Sequence, residues 1–371
     1  MFVLGIMSGT SLDGADFALC RQGRGRLTLE DLWSAAFPAA LRRRLLDAAG
    51  DAATVWELGR LHHDLGRFYA RAALHGLHGR RVEAAGLHGQ TVFHAPPPRG
   101  ATLQIGSPAW LAEALRVPVV ADFRGADLAA GGHAAPLASL FHLRTFARRD
   151  RLVAVQNLGG IGNVTSLDWR DRRRSAPAVL AFDTGPANLP LDLAAAHVSG
   201  GRLACDRDGR LALSGRADAR LVARWLRDPF IRRPPPKSTG RERYGGPFFR
   251  RALVEAEAAG VAGPNLLATL TAYVAATVAE NHRRHLPAPP GEVILCGGGA
   301  ENPALVAALR EAFGGASTLR RSAELGWPAQ AIEPAAFALL ALERLRGRPG
   351  NLPSTTGAAR AVCCGAVWSP G

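Results

Sequence analysis

The sequence predicts an α/β protein of two domains, and three observations carry that reading. Apolar runs flank a turn rich in Gly, Ser, Thr and Asp at Gly5–Asp16, and the same strand–turn–strand pattern returns at residues 151–169. A strand, a triple glycine and a capped helix follow one another at Glu292–Gly314. Between these lie amphipathic stretches of helical period alternating with short apolar runs. A chain of 371 residues is long enough for two domains, each with its own core.

Composition narrows the class. A hydrophobic content of 47% with 20% charged residues fits a soluble globular protein. The net charge of +14 is almost all arginine, spread along the chain, and Lys237 is the only lysine. Aromatic residues do not interleave with the basic runs, so no base-stacking groove and no nucleic-acid partner is expected. The five cysteines show neither metal-ligand spacing nor an even disulfide framework, which suits a reduced, cytoplasmic protein. The N-terminus lacks the basic and apolar regions of a signal peptide, and no apolar run is long enough to span a membrane.

In chain order, residues 1–20 read as a hairpin whose turn offers N–H groups and hydroxyls to an anion. Asp13 and Asp16 add carboxylates suited to a magnesium ion over a phosphate. Residues 41–49 and 54–78 read as helices, the second with a capping-box pair at Thr54 and Glu57; His62 and His63 on it are surface or edge residues. Val82–Leu87 reads as a strand that ends in the polar cluster His88, Gln90 and Thr91. Pro108–Leu115 is a helix framed by strands. Arg124 then offers either a bidentate grip on an anionic group or an internal ion pair with Asp122 or Asp127.

In the second half, Gly159 and Gly160 form the repeated turn, and Asp183 ends a buried strand, where a carboxylate can serve as a general base. Residues 229–249 read as a loop in which three prolines forbid helix and Lys237–Arg241 form a dense donor set, a lid or substrate wall. Asn265–His285 is a long helix. Gly297, Gly298 and Gly299 let backbone approach a ligand, Asn302 caps the next helix and Gly314 closes it. Ala331–Leu345 is the last helix, with Glu333 at its start, and the tail from Gly347 reads as loosely ordered.

The motifs GIMSGTSLDGAD, LHGQTVFH, VVADFRGADLAAGGHAAPL, NLGGIGNVT, FDTGPAN, PPKSTGRE and CGGGAENPAL occur in this order. Together they closely resemble the anhydro-N-acetylmuramic acid kinase family of the acetate and sugar kinase, actin-like superfamily. The resemblance implies two ribonuclease-H-like (actin-like ATPase) domains around a central nucleotide cleft: residues 1–127 plus about 333–371, and residues 128–332. It implies ATP and Mg2+ as cofactors, an amino sugar as substrate and a homodimer in the cytoplasm, with no membrane partner. The implied reaction opens the 1,6-anhydro ring with water and phosphorylates the 6-oxygen, in cell-wall recycling; the alternative is a sugar or acyl kinase acting on a plain hydroxyl. Carried over by motif, Gly9, Thr10, Ser11, Leu12, Asp13, Gly14, Ala15 and Asp16 meet ATP, with Asp13 holding the metal directly or through water. Gly159, Gly160 and Gly297–Gly299 also border the nucleotide. Asp183 activates the water, and Gln90, Arg124 and Glu333 face the sugar. The chain departs from the family pattern at His133-Ala134, where Gln-Gly is usual, at Leu158, where a small polar residue is usual, and after Asp192, where an aromatic is missing. These departures bear on substrate preference.

Overall fold

The computed structural model describes residues 1–371 apart from Thr10, Arg24 and Pro96. The chain divides into two compact units, Met1–Thr145 with Gly326–Gly371, and Phe146–Leu325. The first unit runs on past residue 127 because the following segment is tied to the C-terminal part. His133 N–H donates to the Thr356 carbonyl, and the Phe141 ring meets Trp327 edge-on at 4.8 Å.

The first unit is built on strands β1 (Phe2–Ser8), β2 (Gly14–Gln22), β3 (Leu27–Ala36), β4 (Ala84–Ala95), β5 (Ala101–Ile105) and β6 (Val119–Ala121), closed by β12 (Ala366–Trp368). The second carries β7 (Leu152–Leu158), β8 (Ile161–Asp168), β9 (Ala178–Pro186), β10 (Glu292–Cys296) and β11 (Thr318–Arg321). The order is β12-β6-β4-β1-β2-β3, with β5 on β4, in one sheet and β11-β10-β7-β8-β9 in the other. In each, the first three strands form an antiparallel meander, and two later strands add in parallel beside the first. Both units therefore share one ribonuclease-H-like strand order, and the fold is α/β.

Glycine decides how the first sheet is covered. Gly5 of β1 and Gly86 of β4 face each other in register. A Cβ on Gly5 would stand 1.8 Å from the Pro334 carbonyl oxygen, and one on Gly86 would stand 2.2 Å from that of Phe337. The backbone of the helix Ile332–Leu345 thus lies directly on the paired glycines, which brings Glu333 to the sheet. On the opposite side, Leu4, Ile6, Phe17 and Leu19 pack with Leu61, Leu65, Phe68 and Tyr69 of the helix Val55–Leu77. In the second unit, Val164, Phe182, Val293 and Leu295 join Leu270, Tyr273, Val274 and Val278 of the helix Pro264–His285.

Several local expectations change. β4 does not stop at Leu87 but continues to Ala95, because β5 pairs with its polar half. β3 is an additional strand whose half-exposed, alternating pattern hid it. Residues 229–249 contain the short helices Pro229–Arg232 and Arg241–Tyr244 and the start of Gly246–Ala258; proline occupies the first turn of two of them, where its missing N–H costs nothing. The tail is ordered: β12 pairs antiparallel with β6, and buried Asn351 donates to Asp127 Oδ1. Thr54 Oγ accepts from Glu57 N–H as expected, but the Glu57 carboxylate turns to Arg44 rather than back to the cap. Among the described residues, no helix is long and apolar enough to cross a membrane.

Candidate active site

In the first unit the Gly9–Asp16 turn joins β1 to β2. Thr10 lies outside the described residues. Ser11 and Asp13 are exposed, and the Ser11 hydroxyl donates to Asp13 Oδ1 at 2.7 Å. Leu12 adopts a left-handed φ of 55° and buries its side chain in the core, as Ala15 does, so both offer only backbone to a ligand. The Leu12 carbonyl is braced by Arg42 Nε at 3.0 Å. Gly14 serves packing: a Cβ there would stand 2.5 Å from the Ala35 carbonyl of β3. Asp16 is half-buried and accepts from the Ser34 hydroxyl; burial raises its pKa, with Asp13 adding to the rise.

Gln90 is fully buried beside this turn. Its Nε2 donates to the Gly9 carbonyl at 3.0 Å, and its Oε1 has no hydrogen-bond partner among the described residues. A buried acceptor without a donor costs about 1–3 kcal/mol, so a ligand hydroxyl or N–H there would be favoured. Arg124 is half-buried and forms no ion pair with Asp122 or Asp127. Its Nε donates to His88 Nε2 at 3.0 Å, and its Nη1 donates to the Ala134 carbonyl. Asp122 instead accepts from Gly125 N–H, and Asp127 from Ala134 N–H, Asn351 and Thr356. Desolvation lowers the Arg124 pKa to about 10, opposed by Glu333 and Asp127, so it remains a cation at neutral pH. Glu333 is open to solvent yet surrounded by enough protein to raise its pKa; Arg124 opposes that rise and Asp16 adds to it. The unit thus gathers Gly9, Asp16, Gln90, Arg124 and Glu333, while Asp13 stands at the exposed tip of the turn.

In the second unit Asp183 does not end its strand: β9 continues to Pro186, and Asp183 is paired with Asn163 of β8. Its N–H donates to the Lys237 carbonyl at 3.2 Å, and its Oδ2 accepts from Thr239 N–H at 2.9 Å. Desolvation raises its pKa to about 6 against the pull of the Thr239 N–H and the Lys237 ammonium; Glu242 adds to the rise. Such a carboxylate is ionised at neutral pH yet basic enough to take a proton. Lys237 differs from the expected open donor: it is buried, and its Nζ bonds Phe230 O, Ile231 O and Asn281 Oδ1.

The two glycine turns of this unit meet around Leu158 and Asn188. The carbonyls of Gly159 and Gly160 accept the N–H groups of Asn188, Ala187 and Leu189, and Asn188 Nδ2 donates to the Leu158 carbonyl. A Cβ on Gly297, whose φ is 78°, would stand 2.3 Å from Asn157 Oδ1, and one on Gly299 would stand 2.8 Å from Leu158 Cβ. Buried Leu158 therefore fills space under the triple glycine. Gly298 is exposed and carries no such constraint. Sequence reasoning placed His88 in a polar cluster and Thr239 within the Lys237–Arg241 donor set, but nothing in the letters named Arg124 and Asp183 as their partners.

Two sheets of one ribonuclease-H-like order, with a Gly/Ser/Asp turn on the first and a glycine turn beside a capped helix on the second, define an actin-like α/β protein. The family model for anhydro-N-acetylmuramic acid kinase matches residues 1–370. The chain is 40% identical over 375 residues to the anhydro-N-acetylmuramic acid kinase of Acaryochloris marina, covering 98% of this chain and 99% of that one. It is 43% identical over 385 residues to that of Gloeobacter violaceus, covering 99% and 98%. Among solved structures, a ROK family glucokinase from Streptomyces griseus in complex with glucose and AMPPNP aligns at 15% identity and a TM-score of 0.44, covering 92% of this chain and 100% of that one. The chain belongs to the anhydro-N-acetylmuramic acid kinase family, and it is a phosphotransferase.

Proposed function

We propose that this protein uses water to open the 1,6-anhydro ring of anhydro-N-acetylmuramic acid and phosphorylates the freed 6-oxygen from ATP, within cell-wall recycling. The observation that carries this reading is Asp183, a clasped carboxylate whose pKa is raised to about 6. Water is a poor nucleophile, and a base of this strength takes its proton as the oxygen bonds to the anomeric carbon. The bond from that carbon to the 6-oxygen breaks, and its electron pair stays on the 6-oxygen. That oxygen bonds the γ-phosphorus, and the bond to the β-phosphate oxygen breaks to release ADP.

The other residues take supporting roles. By motif, Gly9–Asp16 and Gly159 with Gly160 are assigned to the phosphates and Gly297–Gly299 to the adenosine, where backbone N–H groups would stabilise the phosphate charge. Arg124, a cation with no carboxylate bonded to it, fits the negative side of the sugar, and Gln90 Oε1 fits one of its donors. Glu333 lies within the field of Arg124 and orients the substrate. Among the described residues, no group of three or more His, Cys, Asp or Glu side chains could hold a metal ion. Magnesium nevertheless fits: it binds commonly through one or two carboxylates plus substrate phosphates, and Asp13 is an exposed oxygen donor at the turn. When bound, the ion would neutralise charge on the transferring phosphate. A homodimer in the cytoplasm completes the reading.

The competing reading is a kinase of the same superfamily acting on a plain hydroxyl. Incubation of the protein with anhydro sugar, ATP and magnesium in 18O-labelled water separates the two. Label at the anomeric oxygen of a 6-phosphorylated product is the expected result, and a phosphorylated product without label would refute ring opening by water.

A further inference from the structure

Lys237 is the only lysine in a chain with 45 basic side chains, and it is buried. Its Nζ lies 3.1 Å from the Phe230 carbonyl, 3.1 Å from the Ile231 carbonyl and 2.6 Å from Asn281 Oδ1. Asn281 has no freedom to present its amide nitrogen instead, because Nδ2 donates to the carbonyls of Thr184 and Thr277, both at 2.8 Å. Three acceptors need three N–H donors, which an ammonium has and a neutral amine lacks. The rings of Phe230 and Phe182, 4.9 and 5.5 Å away, add faces that favour a cation. An arginine cannot replace this group: its planar fork is larger and does not converge three donors from one atom.

The same residue holds Asp183 through its backbone. The Lys237 carbonyl accepts the Asp183 N–H, and two residues on the Thr239 N–H donates to the carboxylate. We infer that Lys237 is the positioning residue of Asp183: its locked ammonium fixes the 237–239 backbone on the carboxylate and sets one positive charge in that segment. The inference rests on the reading of Asp183 as the base. The charged groups around the pair are few. Glu242 faces Asp183 and opposes its ionisation; Arg233, Asp228 and His285 face Lys237. Asp228 is itself engaged by Arg243 and by Tyr244.

A lone lysine makes the test direct. Protein grown on lysine labelled with 15N at Nζ gives one side-chain signal. It is expected to have the shift of an ammonium at pH 7 and to move in a step near pH 6 as Asp183 titrates. The step should vanish in Asp183→Asn. A signal that stays flat across this range, or that titrates identically in Asp183→Asn, would overturn the coupling. A second arm reads catalysis. In Lys237→Met the acid limb of the kcat/KM profile should move up by about one pH unit, since an opposite charge lowers a neighbouring carboxylate by about that much or more. Lys237→Gln, which keeps two donors for the carbonyls, serves where the Met variant does not fold. A folded variant with a lowered Tm but an unmoved acid limb would make Lys237 purely structural. If Asp183→Asn itself keeps near-normal turnover, the base reading fails instead, so the two failures are distinguishable.

Discussion

Replacing Asp183 by Asn removes a proton acceptor while keeping shape and an oxygen for the Thr239 N–H. Two effects of opposite sign follow. As a general base Asp183 contributes about 10²-fold or more, so turnover should fall by at least about 3 kcal/mol in barrier. Hydrolysis of the anhydro bond and phosphate transfer should fall together, because the 6-oxygen is freed only when water attacks. Stability should move the other way. The folded pKa of Asp183 is raised from 3.8 to about 6, so its contribution to stability is fully present below pH 3.8 and is lost as pH rises through 6. At pH 7–8 the ionised carboxylate therefore costs the fold. The full shift corresponds to about 3 kcal/mol, and the remaining solvent contact of the partly buried group reduces this to about 1–2 kcal/mol. Asp183→Asn should recover it, raising Tm by about 2–6 °C at pH 7.5 for a unit of this size, with the gain fading below pH 4. Scanning calorimetry at both pH values and product formation on the same sample check this. A folded variant with lowered Tm at pH 7.5 and near-normal turnover would refute the reasoning and leave Asp183 as a structural residue of β9.

Asp13→Asn should leave Tm unchanged, lower kcat and raise the magnesium concentration needed for half-maximal turnover; an unaltered magnesium titration would exclude its role. Gly86→Ala forces a Cβ against the Phe337 backbone at 2.2 Å and should cost about 3 kcal/mol or more, read as a lowered urea midpoint, since the helix above it must shift. Ala134 holds a left-handed φ of 57° while its carbonyl accepts from Arg124 Nη1. Ala134→Gly should relieve that backbone, stabilising by up to about 1 kcal/mol in denaturant titration with KM for the sugar unchanged.

Much of the architecture was legible in the letters because it rests on local signals. The turn at Gly5–Asp16, the Asn302 cap and the helical period of Val55–Leu77 each specify their own backbone within a few residues. The α/β class and the repeated strand–turn–strand pattern follow from such signals. What the letters concealed depends on distant partners. β4 runs to Ala95 only because β5 returns beside it, and the tail is ordered because β12 finds the edge of β6 and Asn351 finds Asp127. Residues 229–249 looked like a loop because of the run Pro234-Pro235-Pro236, which does lie outside helices, whereas Pro229 and Pro247 stand in the first turns of helices.

The candidate site divides in the same way. Which residue types are present, and that Asp183 and the glycine turns stand in strand–turn contexts, could be read from the sequence alone. The state of each group could not, because protonation and hydrogen bonding depend on what surrounds a side chain in space. Arg124 had two open readings in sequence, an anion grip or an ion pair with a neighbouring Asp. Tertiary packing gave its Nε to His88 and took both acids for other donors. Lys237 read as an open donor because it lies among prolines and polar residues; the fold buries it on three acceptors beside Asp183. Sequence determined the elements and the inventory of chemical groups; the tertiary structure decided which groups are desolvated, which are paired and which are left with capacity for a ligand, because those properties belong to contacts between residues far apart in the chain.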